Sequence, residues 1–394
     1  MSHQSAIKLT QSVKSYAQKL GFDLCGVAQV VSPQGVSRLQ GWLDKGFAGE
    51  MTYLSDRIEA YRDPNLVLNN AKCIVMLTMN YATAQPVVDQ PGHGRIARYA
   101  WGQADYHDLI KSRLRDLESH FVSESQKELG ENSQVRTIVD TAPLLEREFA
   151  MLAGLGWFGK NTMLINKHRG SYFFLAAMLT NVELVPDQPF EASHCGTCTA
   201  CLDACPTDAF PEPGVLDASR CISYLTIEHR SEVPQSLREG IGNWLFGCDI
   251  CQEVCPWNRK TRTSTEEVFQ PQQNHNPVNL PQLFDLPDDA FRKRFRKTPL
   301  WRAKRRGLLR NAAIALGNSP GPGWDTALAI GVNDSEPLVR GAAAWALGNI
   351  AQHPATELLI ARWKIETDDG VIHELNVALK KLESQAEDSH FDSN

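Results

Sequence analysis

The chain has 394 residues, 42% of them apolar and 22% charged, with a formal net charge of −6. That length exceeds one hydrophobic core, since single cores stop growing near roughly 250–300 residues, so two or more domains are expected. Ordinary globular composition with no run near the roughly 20 apolar residues of a membrane helix argues against membrane insertion, and the acidic balance excludes a uniformly basic nucleic-acid binder while allowing a local patch.

The first residues, Met1 to Lys8, carry no basic segment leading into an apolar stretch, so a cytoplasmic setting is expected. Ile7, Val13, Tyr16, Ala17 and Leu20 recur at helical spacing and predict a helix over residues 5–20 that Gly21 ends. Leu24 to Val31, Cys73 to Leu77, Val135 to Val139 and Tyr172 to Thr180 read as strands, and Tyr106 to Leu129 and Leu144 to Leu152 as helices. This alternation predicts an α/β domain over residues 1–185 without fixing strand order.

Three stretches within that domain bear polar groups of chemical interest. Asp105, Tyr106 and His107 stand at a helix start, where they read equally as a cap with surface neighbours or as a phenol and an imidazole over a substrate. Asp140 ends a β-rich run; spacing alone makes it the N-cap of a helix beginning near Pro143, and a general acid is the other reading. Gly154 to Thr162 fits G-x-G-x-x-G and nearly fits a P-loop, but Asn161 stands where magnesium needs Ser or Thr and a helix precedes the glycines, so NAD and ATP binding are rejected. There the glycines let backbone approach another ligand or stop the helix, and Lys160 can neutralise a phosphate.

Prolines between Val185 and Phe190 mark a boundary before the cysteines. Eight of the ten cysteines fall between Cys195 and Cys255, a clustering that points to metal rather than disulfides. Cys195, Cys198, Cys201 and Cys205, followed by Pro206, form the bacterial ferredoxin run, more compact than a structural zinc site needs. Cys248, Cys251 and Cys255 repeat its last three positions before Pro256, with Leu245 where the first ligand should stand and Cys221 left over to replace it. In such runs the fourth cysteine serves the other cluster. Two four-thiolate 4Fe-4S cubanes therefore follow, one on Cys195, Cys198, Cys201 and Cys255, the other on Cys205, Cys221, Cys248 and Cys251. Cys25 and Cys73 read as buried small hydrophobes. The cluster domain spans residues 186–260.

Residues 259–279 are polar and aperiodic and read as a surface linker, and residues 261–300 as linker plus basic segment. Between Phe291 and Arg310 stand Arg292, Lys293, Arg294, Arg296, Lys297, Arg302, Lys304, Arg305, Arg306 and Arg310 with no acid, and Phe291, Phe295 and Trp301 are interleaved. Such a segment suits phosphates and bases, the aromatics stacking or filling a core. Residues 312–318 and 343–349 then repeat an Ala-rich string ending Ala-Leu-Gly-Asn, which predicts HEAT-like helical repeats over residues 301–394, with Gly317 and Gly348 at helix C-caps.

Asp140-Thr-Ala-Pro, the run from Gly154 to Thr162, Gly170-Ser-Tyr172, the eight cysteines and the string from Arg310 to Asn318 together resemble the epoxyqueuosine reductase family over most of the chain. The resemblance implies a cobalamin domain similar to those of reductive dehalogenases, a two-cluster module and a tail that helps hold tRNA. It makes Asp140 the proton donor and offers Arg57, Tyr106, His107, Lys160, Asn161, Leu164, Ser171 and Ser223 as cobalamin contacts. It implies an external low-potential electron donor and removal of the epoxide oxygen from tRNA-borne epoxyqueuosine, giving an alkene and water. Competing readings are a small-molecule reductive dehalogenase, which needs neither basic segment nor repeats, and an electron carrier fused to a tRNA scaffold, which leaves Asp140 without a task.

Overall fold

The computed structural model describes residues 2–87, 89–130 and 133–391, with side chains to residue 385; the end of the expected repeat domain, Asp392 to Asn394, lies outside them. The chain forms two compact units, each assembled from three stretches. The first takes residues 1–83, 105–219 and 249–269, the second 84–104, 220–248 and 270–394. These units cut across the expected boundaries at 185, 260 and 300.

In the first unit four strands form one sheet in the order Leu24–Gln29, Cys73–Asn80, Phe173–Thr180, Val135–Ile138. All neighbours are antiparallel. Every residue of Cys73–Asn80 is buried, as expected for a strand covered on both faces. Ile74 and Met76 pack with Phe149 and Ala150 of the helix Glu146–Leu152. The helices His3–Lys19 and Tyr106–Leu129 pack on each other and flank the same unit. Tyr106–Leu129 has the expected limits because Asp105 accepts the His107 N–H at its start and Gly130 takes the left-handed conformation at its end.

In the second unit His93–Ile96 pairs parallel with Trp244–Phe246 and antiparallel with Val278–Asn279. The linker reading of residues 261–300 is thereby corrected. Val278 closes a sheet, and Leu280, Leu283, Phe284, Phe291, Phe295 and Leu300 are buried, because this stretch supplies apolar side chains that polar spacing disguised. Phe291 and Phe295 fill the core and do not present stacking faces.

The repeated strings lie on the helices Lys304–Asn318 and Pro337–Ile350, which pack against each other. Gly317 and Gly348 are not C-caps. Both sit inside their helices, where a Cβ would come within 2.9 Å of Ala346 Cα and 2.8 Å of Ala378 Cα respectively, so each marks a close helix crossing.

Arg310 likewise leaves the nucleic-acid set. It is 1% exposed and donates to the carbonyls of Leu225 (2.6 Å), His229 (2.9 Å) and Ser231 (2.8 Å), while Asn311 donates to those of Thr226 and Leu245. Arg310→Ala should destabilise the protein by on the order of 3 kcal/mol in urea unfolding, because several buried carbonyls lose a charged donor together. A loss under about 1 kcal/mol would contradict this assignment.

Candidate functional site

Asp140 follows the strand Val135–Ile138 in a bend with φ +59°, a conformation non-glycine residues seldom adopt and one that marks functional loops. Its N–H donates to Glu146 Oε1 at 3.2 Å. The capping role expected from spacing is corrected: the helix starts at Glu146, not near Pro143, and Leu145 is its N-cap residue. The residues between stay non-helical, which frees the Asp140 carboxylate for other partners.

Those partners come from the start of the helix Tyr106–Leu129. The Tyr106 hydroxyl donates to Asp140 Oδ2 at 3.4 Å, and His107 Nε2 lies 3.4 Å from the same oxygen. His107 Nδ1 is 2.6 Å from Asp105 Oδ1. Burial alone would lower the His107 pKa, but hydrogen bonds to the Asp105 and Asp140 carboxylates outweigh it and raise the value to about 9. The imidazole is therefore protonated at neutral pH and bridges two carboxylates. Tyr106 stacks on Phe174, ring centroids 4.0 Å apart, and this fixes its hydroxyl.

A cavity of about 880 Å3 opens beside this group, lined by Asp140, Glu146 and Arg147, by apolar Leu39, Trp42, Phe47 and Phe158, and by basic Arg38 and Lys45. Glu146 is half-buried; burial first, and then the Asp140 charge, push its carboxyl up to about 8. Burial likewise raises Tyr61 on the same wall. Arg57 donates to the Thr141 carbonyl at 3.4 Å and holds the loop from its far side.

Arg57, Tyr106, His107 and Asp140 thus come together. Other sequence candidates have different tasks. Lys160 Nζ donates to the carbonyls of Gly196 (2.8 Å) and Cys198 (2.9 Å), so it braces the first cysteine loop and does not wait for a phosphate. Asn161 donates to the Cys251 carbonyl at 3.1 Å. Leu164 is sealed in the core, and Ser171 is buried against Asn258 and Gln252. Ser223 belongs to the second unit. The glycine run is a hairpin pairing Trp157–Phe158 with Leu164–Ile165; Gly156 is required because a Cβ there would lie 2.2 Å from the Ile165 carbonyl oxygen.

Cys195, Cys198, Cys201 and Cys255 gather in the first unit. Burial raises Cys201, and the nearby Cys255, Cys195 and Cys198 thiols raise it further. Cys205 accepts the Ala209 N–H at 3.4 Å. Short helices lie inside both runs, Ala200–Asp203 carrying Cys201 and Ile250–Glu253 carrying Cys251, and pack on each other. Cys221 and Cys248 fall within the second unit, where Cys221 precedes the helix Ile222–Ile227 and Leu245 is a buried strand residue. Cys73 is buried and accepts the Leu184 N–H; burial pushes Cys25 up to about 12, in keeping with a structural role.

Two family descriptions match the chain: a 4Fe-4S double cluster binding domain over residues 194–258, and Epoxyqueuosine reductase QueG, DUF1730, over residues 62–141. An epoxyqueuosine reductase of Cyclobacterium marinum is 41% identical over 305 residues, covering 77% of this chain and 96% of that one. The chain belongs to the epoxyqueuosine reductase family. A family member from Escherichia coli strain K12 is 37% identical over 351 residues, 86% of this chain and 89% of its own. A crystal structure of epoxyqueuosine reductase with an epoxyqueuosine-modified tyrosine tRNA stem loop has a TM-score of 0.87 and 32% identity, covering 95% of this chain and 99% of that one. Another, from Bacillus subtilis, is described with its aspartate catalytic loop swung out of the active site; its TM-score is 0.85 at 31% identity, covering 95% and 99%.

Within this family frame, sequence reading missed Tyr61, Glu146 and Arg147 on the cavity wall. The one available signal was Glu-Arg-Glu directly after the Asp140 loop. The basic segment is also thinner than its sequence suggests. Arg305 pairs with Asp334 at 2.7 Å and Asp288 at 2.8 Å, Arg302 pairs with Glu228, and Arg294 lies over the Phe295 ring. Arg292, Lys293, Arg296, Lys297, Lys304 and Arg306 are exposed.

Proposed function

We propose that this chain reduces epoxyqueuosine in tRNA to queuosine, the last step of queuosine biosynthesis, with Asp140 as the proton donor. The observation that carries the reading is the Asp140 carboxylate held by Tyr106 and His107 at the rim of the cavity. Removing the epoxide oxygen as water needs two electrons and two protons.

Asp140 takes a proton from the protonated His107 across the shared Oδ2 contact and delivers it to the departing oxygen as the C–O bond breaks, and the second proton reaches that oxygen from solvent as it leaves as water. Glu146 holds the Asp140 backbone, so the carboxylate stays aimed while its charge changes. Tyr106 orients the same oxygen.

The cysteine set supports two 4Fe-4S cubanes, which Cys195, Cys198, Cys201 and Cys255 and Cys205, Cys221, Cys248 and Cys251 would hold; when bound they would supply one-electron chemistry fed by an external low-potential donor. The apolar walls and the basic Arg38, Lys45 and Arg147 would suit a corrin ring with amide and phosphate edges, which supports cobalamin as the occupant, with Arg57, Tyr106 and His107 as candidate contacts grouped around the Asp140 loop. Cobalamin supplies a reducing cobalt centre at the substrate. Lys160, Asn161, Leu164 and Ser171 would support such a site only through the hairpin and loops they anchor, and Ser223 is a candidate contact from the family resemblance alone.

The helices from Lys304 onward form the proposed HEAT-like tail, and exposed Arg292, Arg296, Lys297, Lys304 and Arg306 the tRNA surface, with Arg294, Arg302 and Arg305 contributing through already paired groups. No helix among the described residues is long and apolar enough to cross a membrane, and a tRNA substrate fits a cytoplasmic setting.

Replacing Arg296, Lys297, Lys304 and Arg306 together by Ala should weaken binding of the modified stem loop. Each lost phosphate contact lowers the slope of log affinity against log salt by roughly 0.7–0.9. An unchanged slope would move the RNA surface elsewhere. The overall reading is tested by anaerobic turnover: the reduced, loaded protein should consume the epoxyqueuosine stem loop and leave a chlorinated phenol intact. The opposite selectivity would establish the dehalogenase alternative.

A further inference from the structure

Trp157 stands in the glycine hairpin next to Phe158, which lines the cavity, but is not itself one of the cavity's lining residues. Its ring is 2% exposed, and its Nε1–H, buried from solvent, has no hydrogen-bond partner among the described residues. A buried indole N–H left unpaired costs about 1–3 kcal/mol, so native structures seldom leave one. The side chain packs in one apolar cluster with Cys255 and Cys195, beside Phe190, Ile165 and Trp257. These are two of the four thiols assigned to the first cubane.

We propose that the Trp157 indole N–H donates a hydrogen bond to a sulfur of the cubane on Cys195, Cys198, Cys201 and Cys255 and so raises that cluster's reduction potential. The inference rests on the cluster reading above. An N–H donor at a thiolate or sulfide stabilises the more negative, reduced cluster more than the oxidised one, so it moves the potential upward. The hairpin explains why the donor is dependable. Gly156 lets the strand Trp157–Phe158 press against Leu164–Ile165, and Trp257 and His194 meet the indole edge to face at centroid distances of 5.2 and 4.9 Å, fixing its plane. Trp157 is a positioning residue for electron flow and touches no substrate.

The test is an anaerobic redox titration followed by electron paramagnetic resonance on reconstituted wild-type and Trp157→Phe proteins. With iron content unchanged, the variant should show one cluster shifted to more negative potential and the other unmoved. In wild-type protein labelled with 15N-indole tryptophan, the reduced cluster should show a 15N hyperfine coupling that survives Trp257→Phe; this readout stands even if Trp157→Phe fails to load. Two unmoved potentials, or no such coupling, would overturn the inference and put the N–H on the His194 or Trp257 ring. Wild-type protein that loads no cubane at all would sink the cluster reading and this inference with it.

Discussion

Asp140→Asn should load both clusters, bind cobalamin and the stem loop, and yet convert substrate roughly 100- to 10,000-fold more slowly in a single turnover, the usual contribution of a positioned general acid. The amide keeps a side-chain oxygen able to accept from Tyr106 and His107, so the loop geometry survives. What it lacks is a transferable carboxylic proton. The same constellation gives a pH dependence. His107, raised to about 9, holds Asp140 as an imidazolium below that pH, so the contact is present at neutral pH and lost as pH rises through about 9. Normal turnover by Asp140→Asn would assign the proton to Tyr106 or His107 instead.

Cys221→Ala should cost the protein one whole cubane, dropping iron from about eight to about four atoms per chain, because each cluster needs four thiolates and Leu245 cannot supply one. Cys248→Ala should do the same, while Cys25→Ala should leave iron content intact. Full iron content in Cys221→Ala would break the proposed pairing.

Much of this was legible in the sequence where local chemistry dictates structure. The helix Tyr106–Leu129 had its cap, its apolar stripe and its terminal glycine in the open, and the cysteine spacing carried its own meaning. Legibility failed where a residue's role depends on a partner far along the chain. Arg310 looked like part of a charged surface because the carbonyls it serves lie some eighty residues earlier in the sequence. Glu146 passed unremarked within the helix expected from Leu144 to Leu152, because only the bend at Asp140 turns a backbone N–H onto it. Pro143 suggested a helix start, yet the loop needed its non-helical residues to present a carboxylate. Gly317 and Gly348 resembled end signals when they are crossing points, a distinction that only the packed neighbour makes.

In this reading the chain removes one oxygen from a tRNA-borne epoxide with two electrons. Its most direct test is a single turnover of the anaerobically loaded protein on an epoxyqueuosine stem loop, with the nucleoside mass and the reductant consumed measured together. A nucleoside lighter by one oxygen is expected for every two electrons taken up. An unaltered nucleoside from fully loaded, reduced protein that binds the stem loop would contradict it.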